Sequence, residues 1–339
     1  MNNPFLTSAA SLRSLNRAVI AYLPELPALE GKRAYSLLSV TTLHQQLSDH
    51  ASTLKIDPHG PDVLLQLDRC FADVATRDLA IRIATDYGIA LAGLLIMLHR
   101  GDVLNRQARP QWQPEHWAFW AHVRRVAVGG GIVAGQLGIH ALAAAQQFLD
   151  DHAIPITVAR SRWSNQLALV GLATSYPQTS DAVLVFDFGQ TAVKRAIAHI
   201  APDRTIHLQD LASITSRCDL KNPTPTIITA QMQWNWMLDV IRTTHDIAPL
   251  PDCAISVACY LYNGQPDPND MGCYGQLQLL TTHLQNFMQA QLHHDGIRHV
   301  HLLHDGAAAA SAYTSDDYDI VLTLGTAIGN GFPPSAISR

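Results

Sequence analysis

Residues Asp181–Ile200 read DAVLVFDFGQTAVKRAIAHI. Two apolar runs flank the tetrad FGQT, a pattern that predicts a β-hairpin turning at Phe188–Thr191. Asp187 closes the first strand, Gly189 and Gln190 occupy the turn, and Thr191 and Lys194 open the return strand. Such a turn suits Mg-ATP. Backbone N–H groups and the Thr191 hydroxyl can face phosphates, while Asp187 holds magnesium, often through the metal's waters. An ordinary hairpin with a turn glycine has the same features, so the stretch takes its meaning from its neighbours.

Working outward, the chain alternates helical and extended patterns, which predicts an α/β fold. YPQTSD (Tyr176–Asp181) is the clearest boundary signal. Downstream come a third strand in TIHLQDLASI, an amphipathic helix in ITAQMQWNWMLDVIRTTH, a strand in CAISVACYLY and a loop, NGQPDPNDMGCYG. Upstream, one long helix is expected from about Asp62 to His99, then the strand RVAVG. The 339 residues suggest two domains, and 47% hydrophobic content can bury substantial cores.

Three further motifs carry chemistry. LGTAIGNG (Leu324–Gly331) offers Gly325 and Gly329 for close backbone approach to a phosphate, and the Thr326 hydroxyl. VAVGGGIVAGQLG (Val126–Gly138) joins a strand to a helix through Gly129, Gly130 and Gly131, a bare surface on which an adenosine can lie. Its spacing does not fit the dinucleotide fingerprint. In HLLHDGAAAASAY (His301–Tyr313), Asp305 follows a strand and opens a small-residue helix, where it can serve as a general base or simply as a helix N-cap.

Together the four motifs resemble the ROK family of sugar kinases within the actin, hexokinase and Hsp70 superfamily. DFGQTAVK, ISVACYLYNG, HDGAAAA and GTAIGNG stand in the family's order, whereas its closing long helix and GGG strand resemble residues 75–175, which come first here. The resemblance therefore implies a circular permutation. It implies two actin-like (ribonuclease H-like) lobes with a nucleotide cleft between them. One lobe comprises residues 1–178 completed by 318–339, and the other residues 181–317. It implies ATP and Mg²⁺ as cofactors, with Asp187 as the metal-holding carboxylate. Gly189, Gln190, Thr191, Lys194, Gly325, Thr326, Gly329 and Gly129–Gly131 are assigned to the nucleotide. Asp305 is the base toward a sugar-like hydroxyl; His304, Asn263 and Asp270 are assigned to the acceptor. A homodimer is also implied.

The chain departs from the family at several points. Gln190 replaces the second glycine of DxGGT, and His304 replaces the asparagine before the base. The ExGH segment and the CxCGxxGC zinc loop have no counterpart. Of 28 acidic residues only Glu25, Glu30 and Glu115 are glutamates, and all lie outside the matching positions. The sugar-binding side is rewritten, which leaves open an alternative: a nucleotide-binding regulator, or a degenerate kinase that does not phosphorylate sugar.

Composition bounds other functions. The net charge of −5 with no basic block argues against nucleic-acid binding. Ile89–Leu98 is too short to span a bilayer and reads as a buried helix, and the N-terminus shows no signal-peptide pattern. Five cysteines without a CxxC pair predict reduced thiols and a cytoplasmic protein. The histidines are read as ordinary strand and surface residues, and the tryptophans as core or dimer interface.

Overall fold

The computed structural model describes residues 3–6, 10–60, 62–177, 180–218, 224–270 and 273–336. Parts of the boundary segment 176–181, of the loop 263–275 and of the C-terminal segment lie outside them. The described strands are β1 (Arg125–Gly129), β2 (Thr157–Arg160), β3 (Ala182–Phe188), β4 (Ala192–Ile200), β5 (Ile206–Thr215), β6 (Asp252–Val257), β7 (Leu261–Tyr262), β8 (Gln265–Pro266), β9 (His299–His304), β10 (Ile320–Leu324) and β11 (Ile328–Gly331). Alternating with helices, they make an α/β protein of two compact units. One is formed mainly by residues 12–165 with 315–330, the other by 166–314. The division falls before the helix Leu167–Ser175, which the sequence-based boundary at 178 assigns to the first lobe.

In the first unit the sheet order is β11-β10-β1-β2, with β1 parallel to both β10 and β2. The expected single helix from Asp62 is two helices, Val63–Cys70 and Arg77–Arg100. The break has a local cause: the Thr76 hydroxyl donates to the Cys70 carbonyl and the Asp73 carboxylate accepts from Ala75 N–H, so side chains satisfy backbone groups that would otherwise continue the helix. Arg77–Arg100 is long and apolar enough to cross a membrane by composition, yet most of it is buried within this unit. It packs against the helices Pro114–His122 and Gln136–Asp151. Trp112, Trp117 and Trp120 are buried in the same unit, as core residues.

In the second unit the order is β5-β4-β3-β6-β9. β3, β4 and β5 form an antiparallel meander; β6 and β9 extend it in parallel on the other side. β3 and β6 are buried along nearly their whole length, as befits central strands covered on both faces. Alternation along β3 sends Leu184, Phe186 and Phe188 into a core with Trp234, Met237 and Met288 from the helices Ile227–Ile247 and Leu284–Leu292. Val183 and Val185 face the other way, packing with Leu169, Leu172 and Ala308 from the helices Leu167–Ser175 and Asp305–Ala310. After the loop, a 3₁₀ turn spans Gly275–Leu279 and a helix begins at Leu284.

Helix packing in the first unit is set by Gly88, where an added Cβ would lie 2.0 Å from the Ala141 carbonyl oxygen. Backbone cannot retreat as a flexible side chain can. Gly88→Ala is therefore expected to lower unfolding stability by about 1–3 kcal/mol in a urea titration.

Candidate functional site

The site in the second unit is built by strand direction. β3, β6 and β9 are parallel neighbours, so their C-terminal ends lie at one edge of the sheet, where open α/β sheets bind ligands. Asp187 stands near the end of β3 and Asp305 follows the end of β9, with β6 between them. By alternation Asp187 shares the face of Val183 and Val185, the face that the helix Asp305–Ala310 covers.

Asp187 is buried and doubly held. Ser256 lies opposite it in the β3–β6 register and donates its hydroxyl to Asp187 Oδ1 at 2.8 Å. Lys194 lies opposite it across the hairpin and brings Nζ to 3.5 Å from Oδ2. A charge-assisted bond such as that from Ser256 is worth about 1.5–3 kcal/mol. The sequence reading missed Ser256. Its only signal was a lone hydroxyl in the apolar run CAISV.

Asp305 is half-buried; its Oδ1 accepts a hydrogen bond from Gly306 N–H at 2.6 Å and lies 2.9 Å from His304 Nε2. Burial pushes the carboxyl up, but the adjacent His304, the Gly306 N–H and the Lys194 ammonium outweigh it, so the group lies below the ordinary carboxylate value. The helix N-cap position falls to His304, not Asp305, and no side chain caps this helix. The cap reading of Asp305 is thereby replaced: its carboxylate accepts from the next N–H and lies against the histidine beside it.

The residues assigned to the acceptor divide. His304 is at the site and stacks on the Tyr260 ring at 4.5 Å between centroids. Asp270 acts one step back, its Oδ2 accepting from Tyr260 N–H at 2.8 Å. Asn263 and Gly264 form the two-residue turn of the β7–β8 hairpin, both with positive φ, and the Asn263 side chain is exposed. That conformation accounts for the Asn-Gly pair without any ligand.

The turn after β3 is fastened from below. Gly189 N–H is engaged within the hairpin, bonding the Asp187 and Ala192 carbonyls, so the turn itself uses the first of the expected phosphate donors. The Tyr274 hydroxyl donates to the Gly189 carbonyl at 2.9 Å and receives a bond from the Ser216 hydroxyl; Ser216 N–H bonds the Thr191 carbonyl. Cys218 and Cys273 flank this arrangement and are joined by a disulfide, with Cα atoms 5.2 Å apart. The expectation of reduced thiols is corrected for this pair. The two residues are 55 positions apart, and folding of the segment after β5 against the loop before Gly275 brings them together. Cys70, Cys253 and Cys259 are free and buried. Burial, with the Asp270, Asp305 and Asp267 carboxylates alongside, pushes the Cys259 thiol far up, so it is a poor nucleophile.

In the first unit the glycine turns leave the sheet side by side, because β1 and β10 are parallel neighbours. Gly130 has φ +101°, and an added Cβ would lie 2.3 Å from the Leu324 carbonyl oxygen, so only glycine lets these turns meet. Gly130 N–H is taken by the Ser164 carbonyl, while Gly131 and Gly325 border open space. The Gly325 carbonyl accepts from Val40 N–H at the start of the helix Val40–Asp49, whose N-cap is Ser39.

A magnesium–nucleotide group fits the carboxylate present in one respect: magnesium commonly takes one or two carboxylates and completes its shell with water and phosphate oxygens. Asp187 offers one carboxylate, and among the described residues no three His, Cys, Asp or Glu side chains cluster as a metal cage. No protein-family model and no curated protein sequence matches this chain.

The disulfide sets a direct expectation. Protein purified without reductant and then denatured should titrate three thiols with Ellman's reagent and five after reduction. Five before reduction would contradict the pairing.

Proposed function

We propose that the protein is an ATP-dependent kinase acting on a sugar or sugar-like hydroxyl, with Asp305 as general base. The observation that carries this reading is the pair of carboxylates at one end of the second unit's sheet, with Asp187 held by Ser256 and Lys194 and Asp305 kept ionised beside His304. One carboxylate suits a magnesium ion with its waters, and the other suits a proton acceptor. Bound magnesium would neutralise charge on the phosphates. Asp187 would orient it, Lys194 would add a positive charge, and Asp305 would take the proton from the attacking hydroxyl.

We further assign both units to the actin-like (ribonuclease H-like) fold, with the chain circularly permuted. Sheet order supports this. The second unit contains β4-β3-β6-β9 and the first β11-β10-β1-β2, each with three parallel strands beside a fourth. In the second unit the pair β3–β4 precedes the other two strands in the chain. In the first unit the equivalent pair β10–β11 follows them. The same sheet with its chain order shifted is what a permutation produces, and it makes the turn at 325–327 the counterpart of that at 189–191. The assignment of Gly129–Gly131, Gly325, Thr326 and Gly329 to the nucleotide rests on this equivalence and on the resemblance to ROK kinases. On the same resemblance, the protein is proposed to act as a homodimer.

The regulator reading gains nothing from the site, since a binding module needs no ionised carboxylate at the base position. The test is ADP release across a panel of sugars. One or more should stimulate turnover, and Asp305→Asn should lower it by about a hundredfold or more while Mg-ATP still binds. Tight Mg-ATP binding with no sugar-stimulated turnover would overturn the kinase reading. In calorimetry, Asp187→Ala should weaken Mg-ATP binding on the order of tenfold; unchanged affinity would remove the nucleotide assignment.

A further inference from the structure

We propose that His304 is a positioning residue: it occupies Oδ1 of the Asp305 carboxylate and thereby leaves Oδ2 as the atom that receives the acceptor's proton. This rests on the reading of Asp305 as the base. Its ground is the geometry of one carboxylate. Gly306 N–H donates to Oδ1 at 2.6 Å and His304 Nε2 lies 2.9 Å from the same oxygen. A carboxylate oxygen crowded by two nitrogens is a poor proton acceptor; the other oxygen keeps its basicity.

The imidazole is held in place on two sides. Its backbone lies in β9, paired with Val257 of β6, and its ring stacks on Tyr260 with planes 21° apart. Tyr260 is fixed in turn by the Asp270 carboxylate on its N–H, and Asp270 by its own N–H on the Asp267 carbonyl. The chain Asp267–Asp270–Tyr260–His304–Asp305 thus runs from a buried loop residue to the base. It gives the acceptor-side residues Asp270 and His304 a shared task, which is aiming a carboxylate rather than binding sugar. The His304 side chain is only 11% exposed, so its bond to Asp305 faces little competition from water.

The step balances simply. The acceptor oxygen bonds the γ-phosphorus as the bond from phosphorus to the ADP oxygen breaks. The hydroxyl proton passes to Asp305 Oδ2 and goes to solvent after the products leave. Groups facing Asp305 are His304 at the end of β9, Lys194 from β4 and the Cys259 thiol beyond β6, which Asp267 and Asp270 also face. Cys259 stays neutral, so Lys194 is the cation near the base and His304 acts through the approach of its Nε2 to Oδ1.

The experiment is a ¹³C NMR titration of protein labelled at the aspartate carboxyl carbons, with Asp305 assigned through Asp305→Asn. In the wild type the Asp305 carboxyl should titrate below the ordinary range. In His304→Ala it should move up. His304→Gln, which keeps an N–H donor without the imidazole, should fall between them and provides a control for folding. With a sugar identified in the panel, His304→Ala should lower kcat by about tenfold with the KM for ATP unchanged. The acid limb of kcat/KM should shift to higher pH, because a base that protonates more readily is lost earlier as pH falls. His304→Gln should recover most of kcat. Identical carboxyl titrations in wild type and His304→Ala would overturn the proposal. Because the titration needs no acceptor, a carboxyl that moves while no sugar stimulates ADP release upholds the His304–Asp305 coupling and removes the kinase reading.

Discussion

The structure of the second unit depends on β6 lying parallel between β3 and β9. That central strand is buried along its length, so its neighbours are fixed in register by hydrogen bonds and by packing on both faces. Parallel direction then has a chemical result: whatever ends β3 and whatever follows β9 must emerge at the same edge. In this chain those residues are Asp187 and Asp305. Strand β6 also supplies the hydroxyl of Ser256, without which Asp187 would be a buried carboxylate with one oxygen unsatisfied and only a lysine near the other.

The hairpin at FGQT, the helix opening at Asp305 and the glycine turns were legible in the sequence because each is local. A turn glycine, a polar residue ending an apolar run and a small-residue helix leave marks within a few positions. What could not be read is what depends on register and tertiary approach. Ser256 matters because it stands opposite Asp187, and nothing in CAISV announces its partner. Tyr274 and Ser216 reach the turn at Gly189 from distant segments. The Cys218–Cys273 pair is invisible to spacing rules for the same reason. Asn263, assigned to the acceptor by resemblance, stands at a positive-φ turn position that spacing alone did not reveal. The break at residues 71–76 escaped a periodicity argument because apolar spacing continues across it while Thr76 and Asp73 divert the backbone hydrogen bonds.

The two units share a sheet order but differ in how their ends are equipped. The second carries carboxylates, a lysine and a histidine at its strand ends. The first carries glycines that bring two turns together at Gly130 and Leu324. The disulfide beside the Gly189 turn adds a covalent tie to a segment otherwise held by hydrogen bonds.

The central claim is that Asp187 and Asp305 serve one metal–nucleotide site. Paramagnetic broadening tests it most directly. Mn²⁺-ATP added to protein labelled at the aspartate carboxyls should broaden the Asp187 and Asp305 resonances together, while Asp252, at the opposite end of β6, stays sharp. Broadening of neither Asp187 nor Asp305 would contradict the account.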